Sequence, residues 1–382
     1  MPDSILSASA MTRRGFFQRS CAALGAVVSA RVTHTESHRD VPWLAEVQQA
    51  PRDLKPVDTG YFEPLLVAED GSPVTNVAEW EKRRSQLRDR WMDFLGPMPE
   101  RPPVKLTTVA EDHPEGCRRI RVRYESEAGI AVDGYLLYPD PIGEAPRAAL
   151  VVLHSTTPDT IDEVAGVKGR DAQALGLIFA RQGIVVFCPQ CFLWNDPSIE
   201  YLEAVARFKE RHPNTLGMRK MLNDAQCAVD ILASLPEVDA KRIGAVGHSL
   251  GAKETLYLAA FDERVKAAVF SEGGIGLGFT NWHDPWYLGQ GIRDPAFKLN
   301  HHQLLALIAP RAFLILAGES GPPNTSVADG DRTWPFVEAA LPVYKLYGES
   351  ARIGLYNHRQ GHTIPPAALD KSADWLITHL RH

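Results

Sequence analysis

Hydrophobic and polar positions change period several times along this chain. Residues 31–75 are polar and punctuated by proline, with little periodicity, which reads as a linker and surface arm. Within 76–95, Trp80, Leu87, Trp91 and Leu95 recur at steps of seven, four and four, the spacing of one helix face. Gly96-Pro97 stops that helix, and Pro99, Pro102 and Pro103 mark a boundary. The two tryptophans are expected as core anchors onto the domain that follows.

From residue 104 the pattern turns to strands. Stretches 105–110, 118–125 and 131–138 are short, β-rich and bounded by turns, an antiparallel start. Residues 148–154 (Ala-Ala-Leu-Val-Val-Leu-His) are almost continuously apolar, as a strand buried on both faces requires. Helical and strand segments then alternate. Helix 171–182 leads to strand 184–188, helix 214–235 to strand 242–247, and helix 250–261 to strand 265–271. Helix 301–308 leads to strand 312–318, helix 334–347 to strand 352–357, and helix 367–380 ends the chain. This alternation predicts an α/β domain over 104–382: one mostly parallel sheet of about eight strands, with helices on both faces and a helical arm before it.

Residues 1–30 carry Arg13, Arg14 and Arg19 against one acid, Asp3, followed by an apolar run from Cys21 to Val28 and small residues up to Ala30. That three-part order reads as a secretory signal, and the run is too short to span a bilayer. Thr12-Arg13-Arg14-Gly15-Phe16-Phe17 resembles a twin-arginine export motif, with Met11 as an alternative start. The expected location is outside the cytoplasm, periplasmic or secreted, without a stable membrane anchor. Export of this kind carries folded proteins, so the fold should not depend on disulfides. Cys188-Pro-Gln-Cys191 lacks the second pair or the histidines that zinc would need, and packing is its expected role.

Composition narrows the function. The chain is 45% hydrophobic and 23% charged, ordinary for a globular protein, and its net charge of −6 argues against nucleic acid as a partner.

Gly247-His248-Ser249-Leu250-Gly251 is the central chemical signal. It falls between a predicted strand and a predicted helix, so the serine must sit on a sharp turn at the carboxyl edge of the sheet. A serine hydroxyl needs a base, and the partners of such a serine follow it in the order acid, then histidine. His362, in the loop between the last strand and the last helix, is the expected base. His358 competes but lies nearer the strand end, and His379 falls on the final helix. The acid is expected after strand 312–318. Asp331, just before a helix, is preferred, with Asp329 as the alternative and Glu319 also in order. The oxyanion hole is assigned to the amides of Leu250 and Thr156; His154 is expected either to orient the second loop or to pack as a strand-end histidine. His248 beside the serine is expected to be structural, because adjacent residues on a sharp turn point apart. Trp282, Trp286 and Tyr287, in a Gly- and Trp-rich stretch at 273–300, are candidates for stacking on a sugar ring; a buried lid is the alternative. No metal or cofactor is required.

These residues resemble an α/β-hydrolase of the dienelactone-hydrolase-like and acetyl-xylan-esterase-like branch. Asp133-Gly134-Tyr135-Leu136-Leu137-Tyr138-Pro139, the serine elbow, the stretch from Asp331 to Pro335, and Gly361-His362-Thr363-Ile364 carry the resemblance over about residues 104–382. The namesake dienelactone hydrolases use a cysteine nucleophile. Ser249 stands here instead, which favours ordinary carboxylic esters. Bacterial glucuronoyl esterases are similar in layout, but their elbow carries Cys and Arg around the serine where this chain has His248 and Leu250. The resemblance implies a serine esterase acting through an acyl-enzyme on a small-molecule or carbohydrate ester. A prolyl-oligopeptidase-like peptidase and a catalytically inactive carbohydrate-binding protein are the competing readings. The peptidase lacks the propeller repeat such enzymes usually carry.

Overall fold

The computed structural model describes residues 40–319, 328–348 and 350–381. The predicted export signal lies outside the described residues. A short helix α1 (Leu44–Val47) precedes α2 (Val77–Leu95), which occupies the predicted helical stretch almost residue for residue. Asn76 starts α2 by accepting a hydrogen bond from the Glu79 amide, and Gly96, at φ 88°, ends it. A side chain on Gly96 would meet the Asn214 carbonyl at 2.1 Å, so glycine is required there twice over. Trp80, Leu87 and Trp91 are fully buried. The change of pattern near residue 103 does not separate two bodies: α2 joins the core of the strands that follow, and Trp91 Nε1 donates to Gln303 Oε1 at 3.0 Å.

Three antiparallel strands come first: β1 (Thr107–Asp112), β2 (Cys117–Glu127) and β3 (Ile130–Pro139). The alternating elements follow as β4 (Arg147–Leu153), α3 (Thr160–Val164), α4 (Leu175–Arg181), β5 (Val185–Pro189), α5 (Tyr201–Arg211), α6 (Gly217–Ser234), β6 (Val238–His248), α7 (Leu250–Phe261), β7 (Val265–Ser271), α8 (His301–Ile308), β8 (Ala312–Ala317), α9 (Trp334–Leu346), β9 (Ile353–Asn357) and α10 (Pro366–His379). They form one nine-stranded sheet in the order β1-β2-β3-β5-β4-β6-β7-β8-β9. The pairs from β5 and β4 across to β9 are parallel, so β4, β6, β7, β8 and β9 all end on one edge. Helices α3 and α5 were not expected from the pattern.

Period-two alternation divides the core between the two faces of the sheet. Ala149, Val151 and Leu153 pack on one side with Trp91, Leu222, Leu256 and Phe336. Leu150 and Val152 pack on the other with Val164, Phe179 and Trp375. Cys188 and Cys191 fall in opposite clusters, and both are buried free thiols. They stand as packing residues on either side of the sheet.

Candidate active site

The carboxyl edge of the parallel strands carries the polar chemistry. Ser249 follows β6 and starts α7 with φ 56° and ψ −113°, a strained conformation for any residue with a side chain. The turn closes because two glycines face each other across it. A Cβ on Gly247 would lie 2.3 Å from the Gly251 carbonyl, and one on Gly251 would lie 2.1 Å from the Leu153 carbonyl. Helix α7 is thereby pressed onto the end of β4, and the Ser249 amide is held by the Ser271 carbonyl of the neighbouring strand at 2.8 Å. Leu250, with its amide free of the strand ladder, is the first residue of α7.

The loop leaving β4 lies beside this elbow. Ser155 Oγ donates to the His248 carbonyl at 3.3 Å, and Thr156 beyond it is exposed. His154 braces the loop from below: its Nδ1 lies 2.8 Å from the Ser155 carbonyl, and its Nε2 accepts the Cys191 amide at 3.0 Å. Those partners require Nδ1–H, the neutral tautomer, and burial holds the imidazole down to about 4.

His362 sits in the loop between β9 and α10, with its ring 4.6 Å from that of His248. His248 is buried beside His362 and anchored by a 3.0 Å contact from its Nδ1 to Ser271 Oγ. Burial lowers the His362 pKa, with Asp329 opposing that shift. His358 is more deeply enclosed, and its Nδ1 accepts the Gln360 amide at 3.2 Å.

The acid facing His362 is one the sequence reasoning did not select. Glu272 immediately follows β7, has φ 57°, and is almost completely buried. Its Oε2 lies 3.5 Å from His362 Nδ1, and its Oε1 lies 3.9 Å from His358 Nε2. The available signal was an acid closing an otherwise apolar strand, followed by Gly273-Gly274. Asp331 is elsewhere: Arg359 grips both of its oxygens at 2.9 and 2.8 Å, and Asn357 donates to it at 2.9 Å. Asp329 is fully buried, and it accepts from the amides of Gly274 (2.5 Å) and Ile275 (2.9 Å) and from Thr333 Oγ1 (2.7 Å). Its own amide donates to Glu272 Oε2 at 3.3 Å, so the two carboxyls are neighbours. Glu319 is packed against Gly330, and burial raises its pKa.

Two adjacent buried carboxyls do not both ionise cheaply. Burial raises the pKa of both: Asp329 is supported by three donors, and burial, then the Asp329 charge, push the less supported Glu272 up to about 9. An imidazolium at His362 reverses that balance by placing positive charge beside Glu272.

Trp282 and Tyr287 do not form an exposed platform. Both are buried, and they enclose the Lys253 ammonium at 4.0 and 4.7 Å from their ring centres. A buried cation between aromatic faces replaces part of its hydration with ring electrostatics. Burial lowers the Lys253 pKa to about 7. Lys253 also donates to Thr280 Oγ1 at 2.5 Å, which ties the 273–300 loop to α7 one turn past Ser249. Trp286 is half-buried and packs its backbone on Gly217. Sequence reasoning overlooked Lys253 because a lysine four residues after the serine looks like a surface helix position. Among the described residues no cluster of His, Cys, Asp and Glu could hold a metal ion, and no helix is long and apolar enough to cross a membrane.

A strained serine at the end of a parallel strand, a histidine after the last strand, and this strand order define an α/β-hydrolase. Residues 133–305 match the dienelactone hydrolase family. A 4-O-methyl-glucuronoyl methylesterase of Wolfiporia cocos is 24% identical over 293 residues, covering 66% of this chain. The chain thus spans about 64% of that relative's length. A glucuronoyl esterase from Solibacter usitatus superposes with a TM-score of 0.67 at 17% identity, over 84% of this chain and 98% of that one. A putative acetyl xylan esterase from Bacteroides fragilis gives 0.55 at 13% identity, over 78% and 83%.

Proposed function

We propose that this protein is an exported serine carboxylic-ester hydrolase that acts on an esterified carbohydrate. The observation that carries the reading is the Glu272–His362 pair standing at the sheet edge where Ser249 is held in its strained turn. Ser249 Oγ attacks the ester carbonyl as His362 Nε2 takes its proton. The amides of Leu250 and Thr156 hold the oxyanion. Glu272 accepts from His362 Nδ1–H, fixing the tautomer and stabilising the imidazolium. The 3.5 Å separation is longer than a formed hydrogen bond and is expected to shorten once substrate is bound. His362 then protonates the leaving alcohol. Water, activated by the same imidazole, attacks the acyl-enzyme and regenerates Ser249. The carbohydrate part of the reading is supported by the W. cocos relative and by the structural likeness to carbohydrate esterases. The export signal at residues 1–30 agrees with a polymeric substrate outside the cell.

The test is a panel of carbohydrate and synthetic esters together with a fluorophosphonate probe. Wild-type protein should hydrolyse a glucuronoyl methyl ester or an acetylated xylan and should label at Ser249. Ser249→Ala should lose both labelling and at least ~10³-fold in kcat. Hydrolysis that survives Ser249→Ala overturns the assignment. Cleavage of aminoacyl amides without ester hydrolysis favours the peptidase reading.

A further inference from the structure

A cavity of about 520 Å³ lies between the N-terminal arm and the loop that follows β7. Ligand sites typically enclose about 300–1,000 Å³. Its walls come from two distant parts of the chain, Asp58 to Tyr61 on one side and residues between Leu277 and Asn300 on the other. The arm is held there by design of its contacts: Asn300 Nδ2 donates to the carbonyls of Thr59 (2.7 Å) and Tyr61 (3.2 Å). Asn300 is in turn fixed as the N-cap of α8. The arm wall is therefore a built surface.

The lining has the mixed character that sugars need. Tyr61 is half-exposed, and Phe297 adds a second aromatic ring. Asp58 and Asp294 each commit one oxygen to a turn amide, Gly60 at 3.0 Å and Ala296 at 2.7 Å, which leaves the other for a ligand hydroxyl. The exposed Arg293 guanidinium pairs with no described side chain. Thr280 ties the wall of this cavity to the first turn of α7. Its hydroxyl accepts from Lys253, whose amide bonds the Ser249 carbonyl at 3.2 Å.

We propose that this cavity binds the sugar unit next to the esterified one, with Tyr61 supplying an apolar surface and Arg293, Asp58 and Asp294 engaging its hydroxyls. The proposal rests on the carbohydrate-esterase reading and names where the rest of the chain lies. It predicts a preference for an ester borne on an oligosaccharide over the same ester on a single sugar.

The test compares methyl 4-O-methylglucuronate with the methyl ester of a xylotriose carrying the same uronic acid. Tyr61→Ala and Arg293→Ala should each raise KM for the oligosaccharide ester about tenfold, with kcat changed less than twofold. The ratio of kcat/KM between the two esters should fall by the same factor. Calorimetric titration of the Ser249→Ala protein with the de-esterified oligosaccharide should lose a similar factor in affinity on adding Tyr61→Ala. Wild-type hydrolysis of both esters with an unchanged ratio in the variants overturns the cavity assignment. Failure of the wild-type protein to hydrolyse either ester overturns the esterase reading, and calorimetry then judges the cavity alone: binding weakened by Tyr61→Ala supports it and no binding overturns it.

Discussion

Two buried clusters of charge make a useful contrast. Under β2 and α6, Lys220 is enclosed by Asp224 at 2.6 Å, Glu127 at 2.8 Å and Ser126 at 3.0 Å, and His212 closes on the far oxygen of Glu127 at 2.6 Å. Every one of those contacts is within hydrogen-bond reach. At the carboxyl edge of the sheet, Glu272 faces two histidines at 3.5 and 3.9 Å, beyond that reach. The first cluster brings its cation into contact with both carboxylates and holds strand to helix, with Glu127 Oε1 and Asp224 Oδ2 left without a hydrogen bond. The second is left short of its best geometry, and positive charge on His362 would draw it together. A buried cluster that holds its own counter-charge is set to resist change, whereas one that lacks it is set to respond when charge appears.

Breaking each cluster should therefore damage a different property. Glu272→Gln keeps the shape but removes the acceptor for the imidazolium: kcat should fall by roughly 10²–10⁴, while the urea midpoint at pH 5 changes little. Asp331→Asn in the same assay should retain activity within about twofold, since its carboxylate serves Arg359 and Asn357; a large loss there would return the acid role to Asp331. Lys220→Met should do the opposite, leaving Glu127 and Asp224 buried without a cation and reducing stability by about 3–5 kcal/mol in denaturant titration. A change under about 1 kcal/mol would show that the Lys220 ammonium is not what stabilises this cluster.

Smaller effects concern pH. His362 must be neutral to accept the serine proton, and burial lowers its pKa, so the acid limb of kcat/KM should fall below pH 6.5. A limb at pH 7 or above contradicts that environment. Glu272 has a folded pKa raised from 4.5 to about 9. Its contribution to stability is complete below 4.5 and is lost as pH rises toward 9. Glu272→Gln should remove that dependence, so the variant should gain on the wild type in thermal midpoint as pH increases from 5 to 9.

Much of this was legible in the chain. The strands from 148 onward are apolar runs bounded by turns, and their positions emerged within a few residues. Ser249 and His362 stand at the ends of strands whose order in sequence is also their order along this part of the sheet. Glu272 escaped because the acid was sought after β8. Only the pairing of β7 directly beside β6 brings residue 272 next to the elbow, and pairing is a non-local property. Trp282 and Tyr287 misled for a related reason. Aromatic residues in a loop look available for a ligand until the partner they enclose, Lys253, is seen on another element. Near residue 103 the local pattern changes, and the tryptophans before it pack into the core that follows, with Trp91 reaching Gln303.

The paired glycines of the elbow carry a consequence for anyone wishing to redesign this protein. With Gly247 against Gly251, and Gly251 against the Leu153 carbonyl, neither position can accept even a methyl group without levering α7 away from the sheet. Libraries that vary the elbow will mostly return inactive clones. Selectivity is better sought at Tyr61, Arg293 and Phe297, where side chains line open space and can be exchanged while the reacting atoms keep their places.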